Sequence, residues 1–163
     1  MERSLVMEQK TNVMRLLDGA HLPYQVHYYD APDGALSGVE VAQQLSQDPD
    51  HVFKTLVTTG ASGKHYVFMI PVAEELSLKK AAAAAKEKSI VMLKSKDLLP
   101  LTGYVHGGCS PIGMKKLFPT FLDETAQLFD TIMFSAGKIG TQVEMSPDDL
   151  LQMVAYSMAD LTM

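Results

Sequence analysis

Val52-Phe53-Lys54-Thr55-Leu56-Val57-Thr58-Thr59, then Gly60-Ala61-Ser62-Gly63, then His65 to Val72: this stretch decides the fold. The first run is rich in β-branched residues and the last is largely apolar, so both read as strands. The glycine-bearing segment between them is longer than the two-residue minimum, and the unit is predicted to be a β-hairpin. Alternation places Lys54 on the same face as Val52 and Leu56. A lysine there snorkels its ammonium to water, marks an edge strand, or holds a charge at a substrate site.

Upstream, Leu5, Val6, Val13, Met14, Leu16 and Leu17 form a loosely helical apolar stripe that Gly19 can stop. Tyr24 to Asp30 reads as a strand between Pro23 and the turn Pro32-Asp33-Gly34. Ser37 and Glu40 have capping-box spacing, predicting a short helix through Leu45 that Asp48-Pro49-Asp50 closes.

Downstream, Ser77 can cap a helix through the alanine run Ala81 to Ala85, and Ile90 to Leu93 is predicted to be a short buried strand. Thr102 to Gly113 reads as a loop, and Thr120 to Leu122 and Thr131 to Ala136 as strands. Gly137-Lys138-Ile139-Gly140 is a turn, returning in a strand from Gln142 to Met145. Ser146-Pro147-Asp148-Asp149 is a strong helix start, with the helix predicted to run on from Leu150 to Leu161. Helices mixed with hairpins predict an α+β fold with a mixed sheet rather than regular βαβ winding.

The chain has 163 residues, 47% of them hydrophobic, with 11 glycines and 8 prolines. That suits one globular domain over residues 1–163 and excludes a disordered or collagen-like chain. A single cysteine excludes a disulfide scaffold and suits a reducing cytoplasm. Met1-Glu2-Arg3-Ser4 leads into a mixed polar stretch rather than a signal peptide. The longest apolar run, Tyr66 to Ala73, is far below the ~20 residues that span a bilayer. A soluble, cytoplasmic protein with no membrane partner is expected.

The net charge of −5 argues at first against a polyanion partner, but it is unevenly spread. Residues 51–118 hold ten lysines against Glu74, Glu75, Glu87 and Asp97, while both flanking segments are acidic. The basic middle reads either as a polyanion-binding face or as a solvated surface.

Gly103-Tyr104-Val105-His106-Gly107-Gly108-Cys109-Ser110-Pro111-Ile112-Gly113 packs four glycines into eleven residues. Its N–H groups could bind an anion or a developing oxyanion, or it is an ordinary irregular loop. Gly108 and Gly113 have P-loop spacing, but Met114 stands where the lysine must be. Ser110 has Ile112 where a nucleophile elbow needs glycine. Cys109, three residues from His106, is either a thiol nucleophile or a small buried hydrophobe. The five histidines are scattered without metal-ligand spacing, and neither metal nor cofactor is expected.

Four segments, in order, carry a resemblance: Tyr24-Gln25-Val26-His27-Tyr28-Tyr29; Val52-Phe53-Lys54-Thr55-Leu56; Thr102-Gly103-Tyr104 with Gly107 to Lys116; and Ser135-Ala136-Gly137-Lys138. Over about residues 12 to 160 the chain resembles the YbaK/EbsC family of free-standing aminoacyl-tRNA deacylases, relatives of the editing insertion of bacterial prolyl-tRNA synthetases. The paired glycines before Ser110-Pro111 look most like the YbaK branch, which removes cysteine mischarged onto proline tRNA. The resemblance implies a mixed sheet or partly open barrel surrounded by helices. It implies cleavage of an aminoacyl ester, with the substrate's own thiol attacking its carbonyl to release a cyclic thiolactone.

By the same resemblance, Lys54, Gly107 and Gly108 act on the reacting ester, and Tyr29, Thr55, Ser110, Ser135 and Gln142 line the substrate pocket. Gln142 departs from the family, which commonly has aspartate there. Cys109 stands where relatives have an ordinary apolar residue. The expected partner is the 3′ aminoacyl-adenosine end of mischarged tRNA, with prolyl-tRNA synthetase as a delivering partner. Lys79, Lys80, Lys86, Lys88, Lys94, Lys96, Lys115 and Lys116 are phosphate-contact candidates by charge. The alternatives are a deacylase for another small residue such as alanine, or a non-catalytic module that holds a nucleotide or tRNA end.

Overall fold

The structure is a computed structural model and describes residues 10–163. Leu5 and Val6 of the predicted first helix lie outside them. The elements, in order, are α1 (Asn12–Gly19), β1 (Gln25–Tyr28), α2 (Gly38–Gln44), β2 (Phe53–Gly60), β3 (His65–Pro71), α3 (Leu78–Ala85) and β4 (Ile90–Met92). Then follow α4 (Ser95–Thr102), β5 (Thr120–Asp123), a 3-10 turn (Glu124–Leu128), β6 (Ile132–Lys138), β7 (Thr141–Met145), α5 (Pro147–Met153) and β8 (Tyr156–Ala159).

The strands form two sheets that do not close into a barrel. One is antiparallel, ordered β1-β7-β6; the other is mixed, ordered β4-β2-β3-β5-β8. The decisive hairpin forms as expected, with Phe53 opposite Pro71 and Thr59 opposite His65. Its far strand then pairs in parallel with β5, and β5 in parallel with β8. The sheets are stitched where Met133 N–H donates to His51 O (3.0 Å), at a parallel bridge between Val52 and Met133.

β3 reads as an unbroken apolar run because both of its faces are covered. Met69 packs in the main core with Phe53, Leu122, Phe134 and Val143, against Val13, Met14 and Leu17 of α1. Phe68 and Ile70 face the other way, onto Ala81 and Ala82 of α3 and onto Leu161. The small alanines let α3 sit close on the sheet, and Ser77 Oγ caps it by accepting from Lys80 N–H at 3.1 Å.

Three local expectations are corrected. The last helix stops at Met153, and Tyr156–Ala159 becomes β8. Long-range pairing wins there: Thr120 lies opposite Tyr156, and Leu161 N–H donates to the buried Asp123 Oδ1 at 3.0 Å. Ile90–Met92 is an edge strand paired only to β2, so Ile90 is buried while Val91 is 57% exposed. Gly137 and Lys138 continue β6 through an irregularity in register, leaving a turn at Ile139 and Gly140. The sequence also gave no sign of α4, which carries Pro100 and lacks a side-chain cap.

Candidate functional site

A cavity of about 350 Å³ opens where the two sheets, α2 and the glycine loop meet. One wall is β2, contributing Phe53, Lys54, Thr55 and Leu56. Its floor comes from Ser135 on β6 and Gln142 on β7, which are cross-strand neighbours. Tyr29 follows β1, Leu36, Ser37 and Val41 come from the α2 region, and His106, Gly107 and Cys109 come from the glycine loop.

α2 begins where it does because Ser37 and Glu40 form the full capping box: Ser37 N–H donates to Glu40 Oε1 (3.0 Å) and Glu40 N–H to Ser37 Oγ (3.2 Å). It docks on the end of β3 through Gly38, where a Cβ would lie 2.4 Å from Val72 Cγ1. The glycine loop is tied shut at several points. Tyr104 OH donates to Ile112 O, Lys115 N–H donates to Thr102 O (3.0 Å), and Tyr104 N–H donates to Thr102 Oγ1 (3.1 Å). Gly107 has φ +86, and a Cβ on it would lie 2.5 Å from Ala35 Cβ. Both facts demand glycine.

Six of the eight residues singled out from sequence share the cavity wall: Tyr29, Lys54, Thr55, Gly107, Ser135 and Gln142. Gly108 and Ser110 do not. Gly108 N–H is spent on Val105 O (3.0 Å), and a Cβ there would press on the Lys138–Ile139 backbone. The fully buried Ser110 accepts from Ile112 N–H at 3.3 Å and so braces the loop. The sequence reading missed the apolar wall of Leu36, Val41, Val52, Val72 and Leu98. Only the Ser37–Glu40 spacing pointed toward that side.

Lys54 is half-buried beside the apolar wall. Burial lowers the pKa of its ammonium, and Glu75 and Glu74 offset part of that. Cys109 packs with Val57 and Val67, and burial pushes its thiol up to about 12, so a nucleophilic thiolate is disfavoured. On the floor, Ser135 Oγ accepts from Gly137 N–H at 3.1 Å. Two buried atoms on the wall, Thr55 Oγ1 and Gln142 Oε1, have no hydrogen-bond partner among the described residues.

Two residues along β7 and on the same face as Gln142, Glu144 binds His27 Nε2 (2.8 Å) and accepts from Thr131 Oγ1 (2.5 Å). Burial pushes the Glu144 carboxyl up, but its bonds to Thr131 and His27 and the charges of His27 and His51 outweigh this and hold it below the usual range. Among the described residues, no cluster of three or more His, Cys, Asp or Glu side chains is arranged to hold a metal ion. No described helix is long and apolar enough to cross a membrane.

Of the candidate phosphate contacts, Lys94 and Lys96 flank the start of α4, whose Leu98 lines the cavity. Lys115 and Lys116 are exposed on the segment after the glycine loop. Lys80 is engaged elsewhere, with Asp160 at 3.0 Å and Thr162 O at 2.7 Å.

Residues 33–153 match the aminoacyl-tRNA editing domain family. An Enterococcus faecalis protein, provisionally named Cys-tRNA(Pro)/Cys-tRNA(Cys) deacylase EbsC, is 44% identical over 155 residues, which is 95% of this chain and 94% of that one. A crystal structure provisionally named as a trans-editing enzyme for prolyl tRNA synthetase superposes with TM-score 0.78 at 23% identity, covering 95% of this chain and 99% of that one. The hypothetical protein APE2540 gives TM-score 0.84 at 20% identity, covering 94% and 100%. At those identities the two solved structures bear on the fold.

Proposed function

The chain belongs to the aminoacyl-tRNA editing domain family, and from that premise we propose that it is a trans-editing deacylase. It cleaves the ester between an amino acid and the terminal ribose of tRNA, with cysteine on proline tRNA as its substrate. One observation carries the reading: segments distant in sequence converge on one small cavity that sets Lys54 against Tyr29, Thr55, Gly107, Ser135 and Gln142. The 44%-identical relative supports the choice of cysteine.

An aminoacyl ester is already activated, so orientation and charge stabilisation suffice for its cleavage. Lys54 anchors the terminal ribose or its phosphate, and the Gly107 backbone faces the carbonyl oxygen as it gains charge. The substrate thiol attacks its own carbonyl: the S–C bond forms, the ester C–O bond breaks, and the thiol proton passes to the departing ribose oxygen. Cys109 supplies no nucleophile. Such chemistry selects cysteine beyond what a small pocket achieves by fit, which is about 10- to 200-fold per methylene.

The tRNA body is held through phosphates by Lys94, Lys96, Lys115 and Lys116, weakly and with steep salt dependence for so acidic a chain. Delivery by prolyl-tRNA synthetase in the cytoplasm completes the picture. The test is a panel of mischarged tRNAs followed by loss of label. Selective loss of cysteine supports the proposal; equal loss of alanine broadens the substrate, and binding without loss refutes the activity.

A further inference from the structure

Four titratable side chains line the cavity: Tyr29, Lys54, His106 and Cys109. Cleavage by the substrate thiol calls on one of them. The nucleophile is the thiolate, and a free thiol titrates near ~8.5, so at neutral pH a base must draw the proton off. The departing ribose oxygen then needs a proton back. Burial pushes the Cys109 thiol up to about 12. Burial lowers the pKa of Lys54, but Glu75 and Glu74 favour the ammonium that anchors the substrate. Phenols hold their protons to about pH 10. Imidazole is the side chain that exchanges a proton near neutrality.

The backbone fixes where His106 stands. Gly108 N–H donates to Val105 O (3.0 Å), closing a turn with His106 and Gly107 at its corners. Gly107 has φ +86 at the third position, as a type II turn requires. The turn is wedged from two sides: a Cβ on Gly107 would lie 2.5 Å from Ala35 Cβ and 3.6 Å from Ile139 Cγ1. His106 is therefore held one residue before the backbone that faces the reacting carbonyl. It is exposed at the cavity mouth and, among the described residues, makes no hydrogen bond, ion pair or ring contact. His27, His51 and His65 are engaged with Glu144, Thr131 and Thr59. The charged groups around the turn are Lys138 beside Gly108, Asp33 on the segment carrying Ala35, and Asp97 on α4 next to the wall residue Leu98. Glu40 bonds Ser37 in the α2 cap, and Glu144 bonds His27.

We infer that His106 is a further catalytic residue, the proton carrier for attack by the substrate thiol. This rests on the deacylase reading and deepens it. A neutral imidazole nitrogen takes the proton from the substrate S–H as the S–C bond forms. The imidazolium gives that proton to the ribose oxygen as the ester C–O bond breaks. The imidazole ends as it began, and the atoms balance without a further reactant.

The test is single-turnover deacylation of cysteinyl-tRNA(Pro) at saturating protein by wild type, His106→Gln and His106→Ala. Both variants should be at least about 100-fold slower. Wild-type rates should rise and then level within about pH 5–8, the imidazole range, whereas both variants should climb throughout as the substrate thiol ionises. Added imidazole should speed His106→Ala at least about tenfold, because the exposed site admits it, and should do nothing for Lys54→Met. Melting temperatures should stay within about 2 °C of wild type. Val105→Ala, at an exposed neighbour off the wall, should keep full activity.

A His106→Gln protein that keeps more than half the wild-type rate overturns the inference. So does one that is slowed with the wild-type pH profile while His106→Ala gains nothing from imidazole, or one that only needs more protein to saturate. A wild type that cleaves no aminoacyl-tRNA overturns the deacylase reading and this inference with it. A wild type that cleaves while both His106 variants match it loses the inference alone.

Discussion

Gly107→Ala separates the wall of the cavity from the stability of the fold. With φ at +86, an alanine there carries a left-handed penalty of roughly 1–2 kcal/mol. Its Cβ would also lie 2.5 Å from Ala35 Cβ, about 1 Å inside normal contact. Ala35 is exposed, on the segment between β1 and α2, so it can move. The neighbouring Leu36 and Ser37 line the cavity, and Ser37 caps α2. The strain is therefore relieved by shifting the wall. A fall in melting temperature of about 2–8 °C is expected, at 2–4 °C per kcal/mol for this size. The kcat/KM for cysteinyl-tRNA should fall about 100-fold, the cost of misplacing reacting groups by an ångström. Gly103→Ala is the control. Its φ is +87, but its Cβ would meet only the flexible Lys115 side chain, 3.4 Å away and off the wall. It should melt lower by a similar amount and keep most activity. If both variants lose activity equally, or if Gly107→Ala keeps more than half, the wall argument is refuted.

Three further outcomes follow from named groups. Lys54→Met should lower deacylation at least about 100-fold without lowering the melting temperature. The folded pKa of Lys54 is depressed, so its charge opposes folding and removing it relieves that cost; a lower melting temperature contradicts this. Cys109→Ser should retain activity within a few-fold. The wild-type thiol, pushed up to about 12, should resist alkylation at pH 8 until the protein unfolds; rapid labelling of folded protein contradicts the burial argument. Glu144→Gln should cost about 1–2 kcal/mol at pH 7 by urea unfolding. The folded pKa of Glu144 is lowered from 4.5, so its contribution is full above that value and lost as pH falls through the folded pKa. The gap between wild type and variant should therefore shrink as the pH falls below 4.5.

Elements with local causes were legible in the sequence. Ser37 and Glu40 exchange both capping bonds, Ser77 and Ser146 each accept from the third residue on, and the hairpin forms in the expected place. Elements settled by distant partners were not. Leu150 to Leu161 looks helical because apolar residues recur along it, yet from Tyr156 the chain gains more by extending β5 and closing on Asp123. Ile90 to Leu93 looks buried because it is apolar, but with β2 as its only neighbour strand it is an edge. α4 has neither cap nor clean stripe and contains a proline, so its helix depends on packing Leu98 and Leu101 against Val57 and Val67.

The site divides along the same line. Lys54 was conspicuous as a lysine in an apolar strand, and the structure gives it a cavity rather than an edge. The glycine loop was conspicuous as a motif, but motif and wall are different sets. Ser110 and Gly108 hold the loop together, while Gly107 and Cys109 face the cavity. The α2 side carries no chemical signature, because apolar residues at helical spacing look alike whether they close a pocket or a core. Gly38 is there because a side chain would collide with Val72, a contact between segments 34 positions apart. Gln142 stands between the two cases. Its departure from the family pattern was visible in sequence, but its buried, unpartnered carbonyl was not, because that depends on where Ser135 and His27 spend their own hydrogen bonds.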